Sequence, residues 1–206
     1  MSSADRSAGS RLSRRFFRRD AVTVARSLLG RLLVRHLPDG TVLAGRIVET
    51  EAYLGPEDRA AHSFGGRRTP RNESMYKDAG HAYVYFIYGM HWCLNVVAAS
   101  EGRPEACLIR AVEPITGLET MRRLRAGRPD PELCSGPAKL TQAFAIDGSL
   151  DGIDLVTSRE LYLAWGRPLP PNRIAVGPRI GVAYAGEWAD KPLRFYDRQS
   201  RHVSRR

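Results

Sequence analysis

The sequence predicts a single α+β domain built on a largely antiparallel sheet of β-hairpins flanked by helices. Three observations carry that prediction. Strand-like segments arrive in consecutive hairpins joined by Pro/Gly turns, helix signals fall in separate blocks, and no strand–helix–strand unit repeats. The 206 residues and 43% hydrophobic content are enough for one substantial core.

Residues 1–15, rich in Ser, Arg and Gly, predict a disordered basic arm; the folded domain is expected over 16–197, with 198–206 as a basic C-terminal tail. Asp20 offers a side-chain acceptor for the first turn of a helix over 21–29, which Gly30 is placed to end. Residues 32–37 predict a strand, Pro38-Asp39-Gly40 a turn, and 41–53 the returning strand. Residues 55–80 show no sustained period and predict a long loop with one helical turn over 56–62; long loops in compact domains are more often functional than decorative. Strand signal returns over 82–88, breaks at Gly89-Met90 and resumes over 92–97, giving a hairpin whose tip carries Tyr88, Met90 and His91. A strand follows over 106–112. Thr116-x-x-Glu119 reads as a capping box for a helix through Ala126 closed by Gly127, and Ser135 as the cap of a helix over 136–144. Residues 153–156, 161–165, 174–176 and 193–196 complete the predicted strands.

The formal charge of +10 sits at the ends. Residues 1–20 hold six Arg against Asp5 and Asp20, and 191–206 hold Lys191 and five Arg against Asp197, while the middle is almost neutral. Basic ends suit a polyanion, but solvated tails in an Arg-rich chain give the same figures, so charge permits nucleic acid without requiring it. No apolar run is long enough to cross a bilayer and the amino terminus lacks a signal-peptide core; no membrane partner is expected, and the location expected is cytoplasmic, nucleoid-associated in a bacterium. Cys93, Cys107 and Cys134 are far apart and read as buried thiols.

Alternation along 45–53 puts Glu49, Glu51 and Tyr53 on one strand face and Val48, Thr50 and Ala52 on the other. Two carboxylates are costly to bury, and an enzyme needing a general base beside an aromatic platform has a reason to do so. Other chemistries are missing from the sequence: no Gly-x-Gly-x-x-Gly, no Gly-Lys-Ser/Thr, no His-Glu-x-x-His, no Gly-x-Ser-x-Gly, and no His/Cys pair at a metal spacing. No metal and no cofactor are therefore expected. Tyr83 and Tyr85 share a strand face, with Tyr88 on the other next to the turn; such density is ordinary for a sheet, and equally suits a stacking pocket with an aromatic wedge at a hairpin tip. Arg67, Arg68 and Arg71 make a local basic group in the loop, placed for phosphates.

Further blocks fix a resemblance. Glu49-Thr50-Glu51-Ala52-Tyr53-Leu54-Gly55-Pro56-Glu57-Asp58, Ala61-His62-Ser63, Thr69-Pro70-Arg71-Asn72 and Tyr83-Val84-Tyr85-Phe86-Ile87-Tyr88-Gly89-Met90 come first in order. Leu108-Ile109-Arg110-Ala111-Val112-Glu113-Pro114, Cys134-Ser135-Gly136-Pro137-Ala138-Lys139-Leu140 and Gly186-Glu187-Trp188 follow. Together, from about residue 16 to 197, they resemble the alkyladenine (3-methyladenine) DNA glycosylase family. The resemblance implies a curved antiparallel sheet and excision of alkylated or deaminated purines from double-stranded DNA by a monomer. It implies that Glu51 is the general base for the attacking water, held with help from Arg110 and the backbone carbonyl of Ile180. Tyr53, His62 and Tyr85 would surround the flipped base, Asn95 would crowd the exocyclic amine of guanine, and Tyr88, with Met90 beside it, would enter the minor groove.

Elementary chemistry agrees with that set. A base must leave the stack to be attacked, and a damaged one leaves most cheaply. Purines alkylated on a ring nitrogen are often cationic, which draws them to tyrosine faces and improves them as leaving groups. The three lysines, Lys77, Lys139 and Lys191, lie outside the pocket residues, so an amine nucleophile with strand cleavage is not expected. The rival is a non-catalytic nucleic-acid-binding module using the same tyrosines and basic tails; Glu51 argues against it, because a carboxylate repels phosphate.

Overall fold

The computed structural model describes residues 9–206. In chain order these form α1 (Arg14–Phe17), α2 (Ala21–Leu28), β1 (Leu32–His36), β2 (Val42–Tyr53), β3 (Ala82–Ile87), β4 (His91–Ala98), β5 (Glu105–Thr116), α3 (Leu118–Leu124), α4 (Asp130–Leu133), α5 (Pro137–Ala143), β6 (Leu161–Ala164), β7 (Ile174–Gly177) and β8 (Arg194–Asp197). The strands make one open, wholly antiparallel sheet in the order β3-β4-β5-β2-β1-β6, with β8 pairing β2 and β7. The predicted α+β single domain is what forms.

Strand β2 is the axis. Its first half pairs with β1 and its second with β8, while β5 runs along its other edge. The β2–β5 register runs Ile47↔Val112, Glu49↔Ala111, Thr50↔Ile109, so Val48 and then Arg110 have no opposite number. Each is an extra residue of the bulge type, which re-aims neighbouring side chains. The predicted alternation survives: Thr50 Oγ1 donates to the Ala25 carbonyl at 2.9 Å, which sets Val48, Thr50 and Ala52 toward α2 and leaves Glu49 and Glu51 on the opposite face. Helix α2 forms there because Ala21, Val24, Ala25 and Leu28 make one buried stripe and Asp20 accepts from the Thr23 N–H at 2.8 Å.

Several predicted details shift. The capping box does not form: Thr116 ends β5, and Gly117 caps α3 with φ 78. A side chain at 117 would place its Cβ 2.7 Å from the Val42 carbonyl oxygen, so close packing on β2 selects glycine over a polar cap. Gly136, not Ser135, is the N-cap of α5; Ser135 makes a single bridge to Ala111. Residues 153–156 pair with the start of β3 only through isolated bonds, among them Ala82 N–H to Ile153 C=O. The helical turn expected over 56–62 lies later, as 3₁₀ turns at Phe64–Gly66 and Glu73–Tyr76.

The ends pack more than their composition suggests. Residues 1–8 of the expected arm lie outside the described residues. In the rest of it, Gly9 and Leu12 bond backbone-to-backbone with the β6 region and Leu12 is fully buried. Residues 198–206, expected as a tail, fold back on the sheet: His202 is buried and Ser204 donates into the domain interior.

Candidate active site

A pocket of about 270 Å³ opens where β2, the β3–β4 hairpin and the loop around 180–184 meet. Tyr53, His62, Tyr83, Tyr85, Asn95, Arg110 and Ile180 line it, with Tyr88 and Tyr184 at the rim. Two satellite apolar clusters hold its sides apart. Met75, Tyr83, Val97 and Ala106, with Tyr85, make one; Ala60, Val182 and Ala185, with Tyr53, make the other. The structure thus brings the two predicted hairpins together around the predicted residues.

Glu51 lies one layer behind the pocket wall, with no exposed surface. Three lining residues converge on it: the Tyr53 hydroxyl donates at 2.9 Å, the Ile180 N–H at 2.7 Å, and Arg110 Nη1 lies 3.2 Å away. Ile180 therefore faces the carboxylate with its amide. Burial raises the Glu51 pKa above the ordinary carboxylate value, while Arg110, the Ile180 amide and Tyr53 oppose that rise. Arg110 reaches Glu51 because it is the extra residue of the β5 bulge. Burial and the neighbouring Glu51 carboxylate push the Tyr53 hydroxyl well up, so it stays a donor.

Glu49, two residues earlier, is also fully buried, and of the pocket-lining residues only Arg110 bonds to it. Its carboxylate accepts from Arg110 Nε at 3.1 Å, Arg194 Nη1 at 3.0 Å, Ser204 Oγ at 2.9 Å and the Ser204 N–H at 2.6 Å. Two carboxylates and two guanidinium groups balance in one buried cluster, which is how buried charge is tolerated.

On the far wall, the His62 and Tyr85 rings meet edge-on at 4.6 Å between centroids, and Tyr83 and Tyr85 lie 5.3 Å apart. His62 Nδ1 is 2.7 Å from the Tyr83 hydroxyl. Burial, then the charges of Arg71 and Arg67, lower the His62 pKa to about 4, so the imidazole is neutral at neutral pH. Asn95 is buried and donates its Nδ2 to the Tyr83 carbonyl at 3.1 Å, which fixes its orientation at the pocket wall.

At the rim, Tyr88 is 76% exposed and Met90 67% exposed. The loop arginines divide. Arg68 makes two hydrogen bonds to Glu73, so its charge is engaged. Arg67 and Arg71 join Arg59 along a second groove of about 300 Å³ that shares His62 and Tyr184 with the pocket, and Arg71 braces the hairpin through the Phe86 carbonyl at 2.8 Å. Among the described residues these three make no ion pair.

Some site residues carried no assignment from sequence. Tyr184, 71% exposed, faces the rim from the loop after β7. Arg179 is buried against Asp58, with Nη2 to Oδ1 at 2.8 Å, and lies over the Tyr53 ring at 4.7 Å. That pair anchors the segment that presents the Ile180 amide. Tyr83 was visible as the strand neighbour of Tyr85; Arg179 and Tyr184 offered no local signal, since only the folded loop brings them here. Among the described residues no group of three or more His, Cys, Asp or Glu is placed to hold a metal ion, and no helix is long and apolar enough to cross a membrane.

Comparison with known proteins matches this sequence to a family. The sequence model for methylpurine-DNA glycosylase matches residues 15–201. The human DNA-3-methyladenine glycosylase is 55% identical over 94% of this chain and 68% of the human protein. The mouse DNA-3-methyladenine glycosylase is 55% identical over 94% of this chain, which spans only 61% of the mouse protein. A putative 3-methyladenine DNA glycosylase of Natranaerobius thermophilus is 50% identical over 94% of this chain and 98% of its own length. A matched stretch that includes all eight strands of the sheet and every pocket residue leaves one conclusion: this chain belongs to the methylpurine-DNA glycosylase family.

Proposed function

We propose that the protein is a monofunctional DNA repair glycosylase. It takes an alkylated or deaminated purine out of duplex DNA into the tyrosine–histidine pocket and hydrolyses its N-glycosidic bond with a water activated by Glu51. The observation that carries this reading is a buried carboxylate gripped by three pocket-lining donors, Tyr53, Arg110 and the Ile180 amide. The related proteins' names point to the same reaction.

In this scheme the base stacks between Tyr53 and the Tyr85–His62 wall, the tip residues Tyr88 and Met90 occupy the gap in the duplex, and Arg67 and Arg71 face phosphates. Arg68 contributes only where it releases Glu73. Arg110 and Ile180, which line the pocket and touch Glu51, mark where the water sits. Water oxygen bonds to the sugar C1′ through an oxocarbenium-like state, as in glycoside hydrolysis, and Glu51 takes a water proton. The bonding pair of the glycosidic bond departs with the base, which leaves neutral when it began cationic. A neutral lesion needs a proton as well, and neutral His62 can offer a hydrogen bond but no surplus proton. Asn95, held by the Tyr83 carbonyl, crowds an exocyclic amine of normal guanine. No lysine lines the pocket, which favours water over an amine nucleophile.

The test is incubation with duplexes carrying 3-methyladenine, 7-methylguanine, hypoxanthine or ethenoadenine, followed by scoring of abasic sites. Wild type is expected to release at least one. Glu51→Gln keeps the shape and loses the base, so release should fall by 10²-fold or more, the scale of general-base loss, with lesion affinity retained. Binding without release by wild type on every lesion would establish the binding-module reading instead.

A further inference from the structure

We infer that the C-terminal segment is part of the catalytic apparatus: Ser204 and Glu49 are positioning residues that set the plane of Arg110 and thereby the carboxylate of Glu51. The inference rests on the reading of Glu51 as the base. The Arg110 guanidinium is a rigid fork, and each of its nitrogens has a separate partner. Nε donates to Glu49 at 3.1 Å, Nη2 to Ser204 Oγ at 3.3 Å, and Nη1 faces Glu51 at 3.2 Å. With two of three corners fixed, the third can point in only one direction.

Glu49 is fixed in turn by the same serine. Ser204 donates both its N–H and its hydroxyl to the two carboxylate oxygens, at 2.6 and 2.9 Å. Arg194 supplies the remaining contact and ties the segment down by donating to the Arg205 carbonyl at 2.8 Å. Two of the four hydrogen bonds to the Glu49 carboxylate therefore come from one residue near the chain's end. Without them, the under-satisfied Glu49 draws Arg110 toward itself. Glu51 then loses part of the charge that holds it in place and favours its ionised form.

The experiment is single-turnover release of 7-methylguanine, a cationic lesion that needs no added proton, followed against pH in the full chain. Ser204→Ala is expected to slow release by about tenfold, short of the 10²-fold that a full 1 Å misplacement brings. The sign of the pH effect follows from Arg110 favouring ionised Glu51: weakening that contact raises the Glu51 pKa. The acid limb should thus move to higher pH by about half a unit to one unit. Lesion-DNA Kd should stay constant, and Ser204→Thr, which keeps both donors, should restore rate and limb. In a Glu49→Gln background Ser204→Ala should add little, since both act through one contact. A slowed Ser204→Ala with an unmoved acid limb, or additive losses in the double variant, would overturn the inference. Should Ser204→Ala fold poorly, the Ser204→Cys acid limb decides, since a thiol keeps the size but is a weak donor: unmoved, it overturns the inference. Glu51→Gln run alongside separates the two readings, since residual full activity there would remove the base itself.

Discussion

His62 stands in the pocket wall with its charge state set by its surroundings. Burial and two nearby arginines hold its pKa at about 4, against about 6.5 in an unfolded chain. Between those values the unfolded chain carries a proton that the folded protein does not. Stability therefore falls as pH drops from about 6.5 toward 4 and levels off below, with a slope of at most about 1.4 kcal/mol per pH unit from this one group. His62→Gln removes the titration. Urea melts across pH 4–7 should show a shallower decline for the variant, by up to one proton's worth. Equal slopes would mean that His62 is protonated in the folded state. Within the sequence, His62 was legible as a pocket residue only through its neighbours, because a lone loop histidine has no signature. The two glutamates were more legible: alternation placed both on one face, and the cost of burying them is met at Glu49 by Arg110, Arg194 and the Ser204 amide.

At the scale of elements, the β3–β4 hairpin combines display with strain. Tyr88 has φ 56 and Gly89 φ 66, with Met90 N–H bonding the Ile87 carbonyl at 3.3 Å. Two consecutive positive φ angles suit a tight hairpin turn, but a tyrosine in that region costs about 1–2 kcal/mol that glycine avoids. Tyr88→Gly is expected to raise stability by about 0.5–1 kcal/mol, little packing being lost at a mostly exposed side chain, while weakening lesion-DNA binding. Ala145 provides the control. It ends α5 with φ 48 in a Schellman arrangement, Ile146 N–H to Thr141 C=O at 2.8 Å. Ala145→Gly should gain similar stability and leave DNA affinity unchanged. Thermal melts with a binding titration check both; undiminished affinity in Tyr88→Gly would dismiss the wedge. Caps were the least legible elements. Thr116 and Ser135 have the chemistry of N-caps, yet β5 extends through Thr116 and Gly136 opens α5, since strand pairing and packing decided where each helix begins. Hairpins were legible because alternation and turn residues are local.

Over the whole molecule, the question is which positive charges are free to meet DNA. Composition pointed to the ends, but much of that charge holds the fold together. Arg14 pairs with Asp154, Arg18 with Asp78, and Arg194 with Glu49. What remains beside the pocket is the groove of Arg59, Arg67 and Arg71, exposed and without ion pairs among the described residues. Arg68, next in sequence to Arg67, lies outside that groove, over the Tyr76 ring, with its charge already paired to Glu73. Neighbouring residues of one type thus make a comparison. Each phosphate contact releases counterions and contributes about 0.9 to the slope of log K against log salt on duplex DNA. Arg67→Ala and Arg59→Ala should each reduce that slope by up to about one and weaken lesion-containing and undamaged duplexes alike. Arg68→Ala should leave the slope close to wild type. Fluorescence anisotropy titrations between about 50 and 200 mM salt, the range over which phosphate-dominated binding changes most, resolve these differences. If Arg68→Ala lowers the slope as far as Arg67→Ala does, DNA displaces Glu73 on binding, and the phosphate track runs along the outside of the loop instead of through the groove beside His62.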